Sequence, residues 1–291
     1  EEEEKQMKTA VSAYSFAQYT RSGKFTMKEV VAKAKELGFD AIEFLDLDPP
    51  DGMGELAYAS QLREECEKQG IPVSNYTIGA DFSREDVRAE AERVMRKVDV
   101  AAVLGAAGLR HDAAYKRPAA PRGFSYALPH LADGIRRVTD YAAEKGVRTM
   151  VENHGFFVQD ADRVEALVNA VDHPNFGWLC DMGNFLCADE DPAVSCGKAA
   201  PYAFYVHAKD FIVKSGNGIS PGSAFFRTRA GNYLRGTVLG HGNVPVLQCL
   251  QALKDGGYDG YVSIEFEGME DCIEALSLGV ENLKRYLSLL Q

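Results

Sequence analysis

The chain has 291 residues, 46% hydrophobic and 26% charged, with a formal net charge of −11. That length buries a large core, in one α/β barrel or in two smaller domains. The acidic balance excludes a nucleic-acid or anionic-membrane surface, which needs clustered Lys and Arg, and no apolar run approaches the roughly 20 residues of a spanning helix.

The opening EEEEKQMKTA is the reverse of a signal peptide's basic start. Residues 1–7 read as an acidic tail, either a frayed end or an expression remnant with Met7 as the natural start, and residues 8–291 as a single domain. TAVSAYSF is the first predicted strand. TMKEVVAKAKELG is a helix with Thr26 as N-cap, Glu29 in the capping-box position and Gly38 at its end. The strand DAIEFLD precedes a helix over 55–69 closed by Gly70. IPVSNYTIG leads to a charged helix over 84–104, and LRHDAA to one over 124–145 closed by Gly146. VRTMVENHG and DADRVEALVNAV form the fifth strand–helix unit, and FGWLCDMGN with a weaker helix near 191–200 the sixth. AFYVHAKDF enters a long loop over about 212–242, followed by the helix VPVLQCLQALKDGG. GYVSIEFEG and a helix over about 270–289 complete the chain.

Eight strand–helix units with no shift in composition predict an α/β chain, a single (β/α)8 TIM barrel with a parallel sheet. A doubly wound sheet is the alternative, but no G-x-G-x-x-G follows the first strand. The six cysteines contain no C-x-x-C pair and read as buried or free thiols of a reduced, cytoplasmic compartment.

In such a barrel, polar residues at the C-terminal ends of the strands line the active site. Glu152, Asp181, His207 and Glu265 stand at or near the ends of predicted strands five, six, seven and eight. Three converging carboxylates raise one another's pKa and destabilise the fold unless a cation joins them. Three oxygen ligands and one imidazole suit Mn²⁺ or Mg²⁺, with Co²⁺ as a substitute.

VENHG, CDMGN, YVHAKD and SIEFEG, in that order on the last four strands, resemble the sugar isomerase/epimerase group of xylose-isomerase-like barrels. That group includes ketose 3-epimerases and inosose dehydratase. The resemblance implies that Glu152, Asp181, His207 and Glu265 are metal ligands, with Mn²⁺ the first choice of ion. It also implies that Glu152 and Glu265 act as acid/bases on opposite faces of a sugar. The substrate-gripping arginine of the family's long loop matches Arg235, before the Gly-His-Gly of residues 240–242, with Arg229 as second candidate. Where ketose 3-epimerases usually carry a substrate-contacting histidine three residues after the metal aspartate, this chain has Asn184.

His154 and His241 are extra histidines, and His154 could protonate a leaving group. Lys209, on the same strand face as His207, is a candidate substrate contact; the alternative is a lysine paired with Asp210 or Glu267. Glu43 belongs to the rim or to the shell behind the ligands. His111 is a pocket or core residue, and Trp178 is core. Tyr14 and Phe16 could form a sugar wall, with barrel packing explaining one of them. Phe225, Phe226, Arg227, Arg229, Tyr233 and Arg235 in the long loop suit a lid or a contact in a homo-oligomer.

These readings predict a divalent-metal-dependent isomerase or epimerase of a sugar or keto-sugar, working by proton transfer beside a carbonyl through a metal-bound enediolate. The alternative is a lyase that eliminates a group from a keto-sugar, keto-glycoside or keto-inositol at the same site. A barrel without turnover is disfavoured by the intact ligand set, and a DNA-repair nuclease by the missing basic face. The acidic EFEGMED after the last strand predicts an unphosphorylated carbohydrate substrate.

Overall fold

A computed structural model describes residues 6–114 and 123–291. Strands β1 (Lys8–Ser12), β2 (Ala41–Leu45), β3 (Val73–Ile78), β4 (Gly108–His111), β5 (Arg148–Glu152), β6 (Phe176–Asp181) and β7 (Ala203–Ala208) follow one another around a barrel. Strands β8 (Asp210–Lys214), β9 (Phe226–Arg227) and β10 (Tyr233–Thr237) make a separate antiparallel sheet in the order β8-β10-β9. Strand β11 (Tyr261–Ile264) then closes the barrel between β7 and β1, every barrel pairing being parallel.

Helices α1 (Ala17–Arg21), α2 (Met27–Glu36), α3 (Glu55–Gln69), α4 (Val87–Leu104), α5 (Phe124–Glu144), α6 (Ala161–Val171), α7 (Pro192–Ala199), α8 (Val246–Asp255) and α9 (Cys272–Ser288) make the crossovers. The chain is therefore a (β/α)8 TIM barrel. Local signals set the helix ends. Thr26 and Glu29 complete a reciprocal capping box on α2, and Gly70 takes the left-handed conformation that stops α3. Asp271 caps α9 by accepting from the amides of Ile273 and Glu274.

Alternation along the strands sorts the barrel interior into layers. Met150, Leu179 and Tyr205 form a small apolar cluster apart from the main core. Each lies two residues before Glu152, Asp181 or His207, so an apolar plug sits beneath a polar mouth. Trp178, of opposite parity, is fully buried in the main core.

Two expectations are corrected. The first strand ends at Ser12, because Ala13–Phe16 turn into a short 3-10 helix that leads into α1. The stretch 212–242 is not one long loop, because β8, β9 and β10 pair across it: Tyr233 to Thr237 register against Lys214 to Asp210. Gly236 of β10 bridges Gly268, and a Cβ there would come within 2.6 Å of the Glu267 backbone. The excursion is thereby docked onto the chain just after β11.

The expected tail falls partly outside the described residues, at 1–5, whereas Met7 is buried in the core. Among the described residues no helix is long and apolar enough to cross a membrane. The six cysteines are buried free thiols.

Candidate active site

Glu152 and Asp181 are the last residues of β5 and β6, His207 is the penultimate residue of β7, and Glu265 follows β11 directly. One ligand atom from each lies within 4.8 Å of the others. His207 Nδ1 is 3.7 Å from Glu152 Oε1, 3.7 Å from Asp181 Oδ2 and 3.8 Å from Glu265 Oε2. One ion with bonds of roughly 2 Å spans such separations.

Two further observations fit a cation. His207 Nδ1 is buried without a hydrogen-bond partner, although buried polar atoms are rarely left so. Charge is also unbalanced. Among the described residues, the carboxylates of Glu43, Asp112, Glu152, Asp181, Glu265 and Glu267 face Arg110, Lys209, His154 and His207. Even with both histidines protonated, six negative charges there meet four positive ones.

The four converging side chains are held from behind. His207 Nε2–H donates to Glu43 Oε1 at 2.9 Å and Oε2 at 3.0 Å, which leaves Nδ1 bare toward the carboxylates. Thr77 donates to Glu43 in turn. Asp181 Oδ1 accepts from the amides of Gly183 and Asn184. Asn153, pointing away from the mouth, accepts from the Trp178 indole and the Asp181 amide and donates to the Asp181 carbonyl.

Glu152 is fixed at both oxygens: Oε2 pairs with Arg110 at 2.5 Å, and Oε1 accepts from the Asn184 side-chain Nδ2 at 2.9 Å. Burial by itself would raise the Glu152 carboxyl, but Arg110 and His207 outweigh it and hold its pKa down at about 2. Arg110 also holds Asp112 at 2.8 Å, and Asp112 binds His154 Nδ1 at 2.8 Å. Burial opposes a charge on His154, yet the hydrogen bond and charge of Asp112 raise its pKa above the ordinary 6.5.

On the opposite side, Lys209 is buried among acids. Its Nζ is 2.5 Å from Glu265 Oε2, 3.1 Å from Asp181 Oδ2 and 3.4 Å from Glu267 Oε1, and it donates to Asn184 Oδ1 at 3.2 Å. Burial disfavours its charge, but Asp181 and Glu265 prevail and raise its pKa. Of the four converging side chains Glu265 is the most open, 11% exposed against 3% or less for the others.

The mouth therefore gathers Glu152, Asp181, His207, Glu265, His154, Lys209 and Asn184. It does not gather every expected residue, and no hydrogen bond or ion pair joins Arg235, Arg229 or His241 to the four ligands. Arg229 donates to Asp160 and to the Phe156 carbonyl, tying the β9–β10 turn to the loop after β5. Arg235 lies beside Glu270, 3.6 Å away, and over the Phe225 ring. His241 is exposed, and the glycines flanking it serve Asp210. That carboxylate accepts from the amides of Phe211, Gly240, Gly242 and Val244. Asp210 is thus engaged by backbone, and the partners of Lys209 are Asp181, Glu265 and Glu267. His111 is a core residue, stacked near Phe176 and edge-on to Phe82.

Sequence reasoning missed Arg110 and Asp112. Their signal is the alternation in GLRHD, which puts Arg110 and Asp112 on one face of β4 and His111 on the other. A buried arginine there demands a carboxylate.

Known proteins resemble this one along the whole barrel. Residues 31–286 match the family model described as xylose isomerase-like TIM barrel. Inosose dehydratase of Geobacillus thermodenitrificans (strain NG80-2) is 29% identical over 140 residues, 47% of this chain and 46% of that protein. The match thus spans about half the length of the curated relatives. The probable 3-DHS dehydratase AsbF of Bacillus anthracis superposes with a TM-score of 0.74 at 19% identity, over 96% of this chain and 99% of that one. D-allulose 3-epimerase of Methylomonas sp. gives 0.73 at 19% identity, over 97% and 98%. The chain belongs to the xylose isomerase-like TIM barrel family.

Proposed function

We propose that the protein is a divalent-metal-dependent lyase that removes a hydroxyl or an alkoxy group from the carbon next to the one it deprotonates in a keto-sugar or keto-inositol. The observation that carries this reading is the fixing of Glu152 by Arg110 and Asn184. Burial would raise Glu265 too, and Lys209 and His207 likewise hold it down. But it is held at Oε2 alone and is the more open carboxylate, so of the two it is the better placed to carry a proton. The resemblance to inosose dehydratase points the same way.

Glu152, Asp181, His207 and Glu265 would hold the ion, and their oxygen-rich set favours Mn²⁺, with Mg²⁺ or Co²⁺ as alternatives. When bound, it would supply Lewis-acid stabilisation of charge on the substrate's oxygens. Glu265 takes the proton from the carbon beside the carbonyl, and the C–H electron pair moves toward the carbonyl oxygen. As that pair returns, the neighbouring C–O bond breaks and His154, kept protonated by Asp112, gives its proton to the departing oxygen. Water or an alcohol leaves, and a double bond remains.

The substrate is unphosphorylated in this reading. Asp271 occupies the α9 amides that could cradle a phosphate, and Glu267 and Glu270 flank the approach.

The decisive experiment is turnover of a keto-inositol and of keto-sugars in heavy water with the Mn²⁺-loaded protein. Loss of water or alcohol is expected, and His154→Gln should keep hydrogen–deuterium exchange beside the carbonyl while losing elimination. A deuterated epimer with nothing released would establish the second reading, epimerisation. That reading is favoured by Glu152 Oε1 and Glu265 Oε2 lying at similar range, 3.7 and 3.8 Å, from His207 Nδ1.

A further inference from the structure

Beside the mouth lies a cleft of ≈ 580 Å³ lined by Tyr14, Gln18, Arg21, Phe226, Phe266 and Glu267, among others. Clefts of about 300–1,000 Å³ hold ligands of drug size, more than one sugar ring occupies. Its inner wall is Glu267, which pairs with the same Lys209 that holds Glu265. Tyr14 lines the same cleft as Glu267.

The amide and hydroxyl side chains of Gln18, Ser15 and Ser22 in this cleft are already engaged, which leaves Arg21, the Tyr14 hydroxyl and Glu267 as its polar lining. Gln18 bonds the carbonyls of Gly268 and Glu270 and the amide of Cys272. Ser15 bonds the Ile264 carbonyl and the Phe266 amide, and Ser22 bonds carbonyls of its own helix. A second polyhydroxylated ring would find few partners here and would lose its water. Aromatic faces remain. Phe226, on the two-residue edge strand β9, is 39% exposed and braced edge-on by Phe211 at 5.6 Å. Tyr14 carries the Arg21 guanidinium 5.9 Å above its ring, and Phe266 is buried at the base.

We propose that this cleft is a subsite for a planar aromatic substituent, so that the substrate is an aryl-bearing keto-glycoside and not a free monosaccharide. This deepens the lyase reading, on which it rests for the chemistry of the sugar half, but the preference for a flat ring is a separate property of the cleft.

The test is therefore binding, not turnover. Calorimetry on the Mn²⁺-loaded protein compares phenyl and methyl keto-glucosides with identical sugars. The phenyl compound should bind about tenfold more tightly, a factor that one aromatic contact supplies. Phe226→Ala and Tyr14→Leu should each erase most of that difference, and Phe226→Ala should leave the methyl compound's affinity unchanged. Equal affinities, or a preference that survives both substitutions, would overturn the proposal. If neither glucoside binds, 4-nitrophenol alone decides by saturation-transfer NMR: a signal lost in Phe226→Ala supports the subsite, and no signal refutes it. A phenyl preference without any product would leave the subsite standing and sink only the lyase reading.

Discussion

His207 gives its Nε2 proton to Glu43, fully buried behind it, and keeps Nδ1 for the ring of carboxylates. A carboxylate in that position fixes the tautomer and orientation of a metal-binding imidazole, and losing it typically costs 10- to 100-fold in metal affinity. Glu43→Gln should weaken Mn²⁺ binding by roughly that factor, because a neutral amide neither fixes the tautomer nor raises ligand basicity. Calorimetric titration of the metal-free protein measures it. Unchanged affinity would mean that His207 does not ligate through Nδ1.

Arg110 is the only cation that touches both Glu152 and Asp112 among the described residues. Arg110→Met leaves two buried carboxylates without it, and breaking a buried pair costs about 3–5 kcal/mol. For a chain of this size the melting temperature should fall on the order of 10 °C. Arg137→Met, which removes an exposed helical pair with Asp133, is the control and should stay within about 0.5 kcal/mol. Equal losses in the two variants would show that the Arg110 network is not a stability element.

The architecture was legible because its signals are local and periodic: the capping box at Thr26, the glycine stops, and acids at the ends of successive strands. The convergence of Glu152, Asp181, His207 and Glu265 followed from the barrel, since alternate residues at the C-terminal ends of its strands point inward. What could not be read were contacts between strands distant in sequence. Nothing in GLRHD announces that Arg110 reaches Glu152, 42 residues on. Likewise the glycine-rich 212–242 reads as a loop, because β9 has only two residues and β10 owes its place to pairing with β8. The arginines of that segment looked like substrate ligands for their type, yet Arg229 proves to be a clasp on the Phe156 carbonyl.

Acid stability should report on His111. Burial, with Arg110 adding to it, lowers its pKa from 6.5 to about 4. Its Nδ1 bonds the Asp112 carbonyl while Nε2 is buried without a partner, which suits the neutral ring. Above pH 6.5 the ring is neutral in both states and contributes no pH dependence. As pH falls from 6.5 toward 4, the unfolded chain takes up a proton that the fold refuses, and about 3 kcal/mol of stability is lost. His154 has the opposite sign: its raised pKa gives stability that is complete below 6.5 and lost as pH rises beyond it. Urea denaturation between pH 4.5 and 7 should show a slope that His111→Gln flattens. A slope that persists in the variant would assign the loss to other groups.

Lys209 competes with any ion for the same oxygens. Its ammonium lies against Asp181 Oδ2 and Glu265 Oε2, two of the atoms that converge with His207 Nδ1. In the metal-free protein it partly neutralises a cluster whose mutual repulsion would otherwise oppose folding. A divalent ion brings the same service with more charge, so the ammonium becomes a repulsive neighbour once the ion is seated. Lys209→Met should therefore lower the melting temperature of the metal-free protein and tighten Mn²⁺ binding. The two effects add in one observable: the stabilisation gained from saturating Mn²⁺ should be larger in the variant than in the parent, since an ion bound only to the fold stabilises it according to its affinity. Thermal melts with and without Mn²⁺ measure this directly. If the variant gained less from the ion than the parent, Lys209 would be supporting the ligand geometry instead of competing for it.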